Sequence, residues 1–151
     1  MKQAFTSHSP KETMEMAQKL AQANENCRFW CLEGTLGSGK TVFSKGLGKA
    51  FGFQEKEMKS PTYTYVREHK SKKLRLLHFD FYRTEFIDDL MAHDVEEMFN
   101  SKNTRIIIEW PDRVKHLIQS EYMLIRFQYI NENERFIEAI SIEKTECSEE
   151  S

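Results

Sequence analysis

The spacing of apolar and polar positions changes several times along this chain, and each change marks an element. SPKETMEMAQKLAQAN, 9–24, sets Met14, Ala17, Leu20 and Ala21 on one helical face behind Ser9 as N-cap and Pro10 at the first helical position. RFWCLE, 28–33, is a short unbroken apolar run that stops at glycines, the pattern of a strand covered on both faces. Helical spacing returns in KTVFSKGLGKAF, 40–51, so this part of the chain reads strand, loop, helix. TYTYVREH, 62–69, and LRLLHFDFY, 74–82, are β-rich and separated by KSKK, a hairpin pattern. EFIDDLMAHDVEEMF, 85–99, is helical, and RIIIEW, 105–110, is a second run suited to a central parallel strand. EYMLIRFQYI and RFIEAISIEK, either side of NENE, predict two antiparallel strands. The pattern predicts one α/β domain over 1–144 and a solvated, disordered tail over 145–151, TECSEES.

Composition narrows the picture only a little. A chain of 151 residues and net charge −2 fits a single folded domain and carries no basic footprint for nucleic acid. KSKK reads as a solvated turn rather than an RNA contact. Three cysteines without a paired C-x-x-C set argue against zinc and against a disulfide framework, and point to a reducing compartment. No window approaches the roughly 18 apolar residues a membrane span requires, so a cytoplasmic protein with no membrane partner is expected.

Chemistry enters at GTLGSGKT. Gly34, Gly39, Lys40 and Thr41 fit G-x-x-x-x-G-K-[ST] between a predicted strand and a predicted helix, as a phosphate-binding loop requires. Glycine lets successive N–H groups approach phosphate oxygens, and the helix start adds its positive end. Gly34, Leu36, Gly37, Ser38, Gly39, Lys40, Thr41 and Val42 are therefore the expected contacts of a bound nucleotide. Lys40 would reach the outer phosphates and the Thr41 hydroxyl would ligate Mg²⁺. Glu109, closing RIIIE, is either a metal-sphere ligand, a base for an attacking water, or a strand end in solvent. Alternation in LLHFDFYR puts His78, Asp80 and Tyr82 on one face, making Asp80 the second candidate acid. His78, with no nucleophile to pair with, reads as a structural histidine. In SPTYTY, Thr62 and Thr64 suit either a γ-phosphate sensor or a solvated edge segment.

In their order, GTLGSGKT, SPTYTYV, HFDFYR and IEWPDR resemble the TsaE (YjeE) family of small bacterial ATPases, over about 33–113. The resemblance implies a P-loop fold with a mixed sheet and flanking helices, ATP and Mg²⁺ as ligands, and a part in threonylcarbamoyladenosine modification of tRNA. It also implies partners, the TsaD catalytic subunit and its TsaB companion, with tRNA met only through their complex. By position it makes Lys40, Asp80 and Glu109 catalytic, Thr41, Asp80 and Glu109 the metal contacts, and Thr62 and Thr64 part of a switch-like loop. Thr35 and Val42 depart from the family, which usually has Asp and Thr there. The competing functions are a nucleotide-gated binding module without significant turnover and a small metabolite kinase. A kinase of this fold usually closes an arginine-bearing lid over the phosphates. Arg67, Arg75, Arg83, Arg105 and Arg113 are scattered instead.

Overall fold

The computed structural model describes residues 1–58 and 64–144. Seven strands form one mixed sheet: β1 (Lys2–Ser7), β2 (Phe29–Glu33), β3 (Val66–Lys70), β4 (Arg75–Asp80), β5 (Thr104–Glu109), β6 (Tyr122–Asn131) and β7 (Glu134–Ile142). The helices are α1 (Pro10–Ala23), α2 (Lys40–Ala50) and α3 (Asp89–Phe99). Sheet order is β1-β7-β6-β2-β5-β4-β3. The four inner strands β6, β2, β5 and β4 run parallel, while β1, β7 and β3 are antiparallel to their neighbours. Phe29 to Leu32 and Ile106 to Glu109 are buried on both faces, which is why those stretches carry no alternation.

Each face of the sheet holds its own core. Trp30, Leu32 and Ile107 pack under α1 and α2 through Ala17, Leu20, Phe43 and Leu47. Phe29, Cys31, Phe79 and Ile108 pack under α3 through Val95 and Phe99. Burial raises the Cys31 thiol pKa far above its ordinary value, so this cysteine is a reduced apolar filler.

The expected elements form, with shifts that have physical causes. Ser9 caps α1, accepting from the Glu12 amide at 3.1 Å, but Thr13 is buried and Met14 lies on the flank. Ser7 Oγ donates to the Ser9 carbonyl, so the 2.6 Å contact between Thr13 and Ser7 has the Thr13 hydroxyl as donor. This pairing makes a polar residue acceptable on the core face. α3 starts four residues later than its apolar pattern, because the Asp88 carboxylate accepts from the Met91 amide at 2.8 Å and so fixes the N-cap. β3 starts at Val66, four residues inside the expected strand. β1 has no counterpart in the sequence pattern. It is an edge strand whose ladder pairs with β7, largely exposed along its first half, and so shows no apolar period.

Where α1 and α2 cross, a Cβ on Gly46 would stand 2.5 Å from the Met14 carbonyl oxygen and 2.7 Å from the Ala17 Cβ. Alanine gains about 1 kcal/mol of helix propensity over glycine, but overpacking costs about 1–3 kcal/mol, and backbone cannot step aside as a side chain can. Gly46→Ala is expected to lower the urea midpoint. A raised midpoint would show that the crossing relaxes freely.

Candidate active site

β2 ends at Glu33 and the chain turns through Gly34–Gly39 into α2, so the loop sits at the C-terminal edge of the parallel strands. Gly37 and Gly39 have φ of +76° and +108°, a region L side chains adopt only with strain. Gly39 is the N-cap of α2 and offers no side-chain acceptor, so the first-turn amides of the helix keep their capacity for an anion. Gly34 is small for another reason: a Cβ there would lie 2.5 Å from Ser38 Oγ and 2.9 Å from Phe127 Cβ.

Lys40 leads α2 and turns back over the loop. Its ammonium donates to the Gly34 and Thr35 carbonyls, the latter at 3.1 Å, and lies 4.2 Å from the centre of the Trp110 ring. Burial lowers its pKa, with Glu109 and Asp80 pulling the other way. Trp110 holds its ring there at a cost of about 1–3 kcal/mol, since its φ of 57° is left-handed in a residue without glycine's freedom. The Tyr82 ring stands 5.0 Å from it.

Asp80 and Glu109 end neighbouring parallel strands as register partners, and Glu109 is also the partner of Leu32 on β2. Tertiary pairing therefore sets both carboxylates beside the strand that feeds the loop. Asp80 Oδ1 accepts from the Tyr82 amide at 3.0 Å. Burial is the main cause that raises the Asp80 pKa; the Glu109 charge adds to it, and the Tyr82 amide, His78 and Lys40 oppose it. Glu109 is 3% exposed, and its Oε2 lies 2.7 Å from His78 Nε2.

Leu36, Gly37, Ser38, Gly39, Lys40, Thr41, Val42, Asp80 and Glu109 line one cavity of about 420 Å³. Gly34 reaches it through Lys40. Thr64 does not line it; it is exposed and bonds the Val66 carbonyl at 2.9 Å. Thr62 lies outside the described residues. The sequence pattern missed the rest of the wall. Ser7, Ser9, Pro10 and Thr13 come from the junction of β1 and α1, Tyr82 and Trp110 from strand ends, and Glu132, Asn133 and Arg135 from the β6–β7 hairpin. Arg135 Nη2 donates to the Gly37 carbonyl at 3.2 Å, so an arginine does stand at the loop. Nothing in NENER marks it, because only the packing of the hairpin brings it there.

The donor set suits a nucleotide with Mg²⁺. The Ser38 hydroxyl is buried with no hydrogen-bond partner among the described residues. Thr41 and two carboxylates meet at the same cavity. Mg²⁺ keeps several waters and uses one or two carboxylates plus phosphates, so it does not need a dedicated cluster. Among the described residues no group of three His, Cys, Asp or Glu side chains is placed to hold a metal alone.

The raised Asp80 pKa has a consequence for stability. The fold disfavours the ionised form, a penalty present above the folded pKa and absent below the ordinary carboxylate range. Asp80→Asn keeps an acceptor for the Tyr82 amide and removes the charge. It is expected to raise the melting temperature near neutral pH, with the gain closing as pH falls through the carboxylate range. A lower melting temperature near neutrality would show that attraction to Lys40 outweighs desolvation.

Comparison with known proteins bears on this geometry. The family model described as threonylcarbamoyl adenosine biosynthesis protein TsaE matches residues 7–137. The chain is 38% identical to the TsaE protein of Aquifex aeolicus over 109 residues, 67% of this chain and 80% of that one. It is 29% identical to the Rickettsia conorii protein over 97% of this chain and 82% of the other. For the Bacillus subtilis protein the figures are 30% identity, 85% and 79%. A crystal structure of Bacillus subtilis YdiB shares the fold, with a TM-score of 0.71 and 24% identity over 95% of this chain and 87% of that one.

Proposed function

Since the chain belongs to the TsaE family of threonylcarbamoyl adenosine biosynthesis proteins, we propose that it binds ATP with Mg²⁺ and hydrolyses it slowly, serving the TsaB–TsaD complex that modifies tRNA. The observation that carries this reading is the convergence of the glycine loop, Lys40, Thr41, Asp80 and Glu109 on one cavity. Loop amides and Lys40 hold the phosphates, with Arg135 beside Gly37 adding positive charge. The apolar side chains of Pro10, Leu36 and Val42 are left for the nucleoside. Thr41, Asp80 and Glu109 would hold Mg²⁺, which when bound neutralises charge on the phosphate oxygens. Glu109 takes the proton of the attacking water.

A protein partner fits the surface beside the site. Phe86 and Leu90 are 76% and 72% exposed on the segment leading from Tyr82 into α3. We assign these two exposed apolar side chains to the contact with the TsaB–TsaD pair. A net charge of −2 gives no support to direct tRNA binding.

The test joins calorimetry, phosphate release and capture. Mg-ATP binding, slow release of phosphate and a TsaB–TsaD affinity that differs between ATP and ADP are expected, because only differential affinity can gate a partner. Binding without release would favour a nucleotide-gated module. Phosphate passed to a small acceptor would favour a kinase, and absence of Mg-ATP binding would sink the reading.

A further inference from the structure

His78 is 1% exposed on β4, on the sheet face shared with Leu76, Trp30 and Ile107. An imidazole among such neighbours loses its hydration, a cost that an apolar side chain of similar size avoids. Its Nε2 lies 2.7 Å from Glu109 Oε2, across two adjacent strands and with both side chains buried. The other ring nitrogen, Nδ1, is buried without a partner among the described residues. That asymmetry settles which nitrogen carries hydrogen. A lone pair on Nε2 would face the lone pairs of a carboxylate and leave an N–H stranded at Nδ1, whereas a proton on Nε2 makes a charge-assisted bond. Opposite an ionised carboxylate, Nε2 is the nitrogen that carries the hydrogen.

We propose that His78 is a positioning residue for the hydrolytic site, its Nε2–H holding the Glu109 carboxylate in the orientation that serves water activation and the metal. The inference rests on the reading of Glu109 given above. A buried glutamate has several rotatable bonds, and a base must stay within hydrogen-bond reach of the proton it takes. The peptide pairing of β5 fixes the Glu109 backbone, and the His78 bond restrains the carboxylate plane. Such supporting contacts are worth about 10- to 100-fold in activity or metal affinity. Asp80 flanks the pair as the register partner of Glu109, so His78 also separates the roles of the two acids: it bonds one and leaves the other to the Tyr82 amide.

The experiment compares His78→Leu, which keeps the volume and loses the donor, with His78→Gln, whose side-chain amide can place an N–H near the original Nε2. For His78→Leu we expect kcat to fall about 10- to 100-fold with little change in the KM for Mg-ATP, and His78→Gln to recover most of the loss. In a Glu109→Gln background, His78→Leu should cost little more, because it acts through the carboxylate. A readout without nucleotide is the ring proton of His78 in the NMR spectrum, expected on Nε2, shifted downfield, and moving upfield in Glu109→Gln. Equal losses in His78→Leu and His78→Gln, full additivity with Glu109→Gln, or a proton found only on Nδ1 would each overturn the proposal. Failure of the underlying reading looks different: Glu109→Gln would then hydrolyse ATP at the rate of the unaltered chain, and the proposal would fall with it.

Discussion

Glu109→Gln is expected to slow ATP hydrolysis roughly 10²- to 10⁴-fold while Mg-ATP binding stays largely intact. The exchange keeps shape and most hydrogen bonding but removes the charge and the capacity to hold a proton. Two roles for the carboxylate make separable predictions. Loss of a base shows in turnover alone, whereas loss of a metal ligand also weakens Mg²⁺-dependent binding. The first should dominate, because Thr41 offers a hydroxyl and Asp80 a carboxylate at the same cavity. The variant should therefore accumulate in its ATP-bound complex with partner proteins. Single-turnover phosphate release and calorimetry, each with the partners present, make the check. Unchanged hydrolysis would reduce Glu109 to a buried strand end and move the role of base to Asp80.

Lys40→Ala should weaken ATP by at least about tenfold, or 1.4 kcal/mol, because it removes the ammonium facing the outer phosphates. Stability is a separate matter. In the folded chain the ammonium donates to two loop carbonyls and lies against Trp110, contacts worth about 0.5–2 kcal/mol for the ring and about 1.5–3 kcal/mol for each charged hydrogen bond in favourable cases. Against them stands the desolvation that lowers the Lys40 pKa. These terms have opposite sign and partly cancel, so the melting temperature should move less than the affinity. Lys40→Met, which retains most of the stem, separates lost packing from lost charge: its ATP affinity should resemble that of Lys40→Ala. ATP affinity equal to that of the unaltered chain in both variants would remove the phosphate-loop reading.

What the sequence determined by itself was local. Buried strands β2 and β5 were legible because a strand covered on both faces needs an unbroken apolar run, and FWCL and III are such runs. The loop was legible because backbone approach to phosphate requires glycines at fixed offsets, with lysine and threonine at the helix start. The four motifs in order were enough to name a family whose model covers most of the chain. Boundaries at α3 and β3 were less legible, since Asp88 competes for the helix start and the apolar pattern runs on past it. Other features were decided only by tertiary structure. β1 carries little pattern because its place comes from hydrogen bonds to β7, which any sequence can make. Arg135 and Thr13 reach the cavity because a hairpin and a helix start pack beside the loop, although they lie far from it in the chain. His78 is the clearest case. Alternation put it on the face of Asp80, but its bond to Glu109 depends on β4 and β5 lying side by side in one register, the two residues standing 31 positions apart in the chain. Spacing along a chain reports which residues share an element's face. Which faces then meet is set by how the whole sheet closes its two cores.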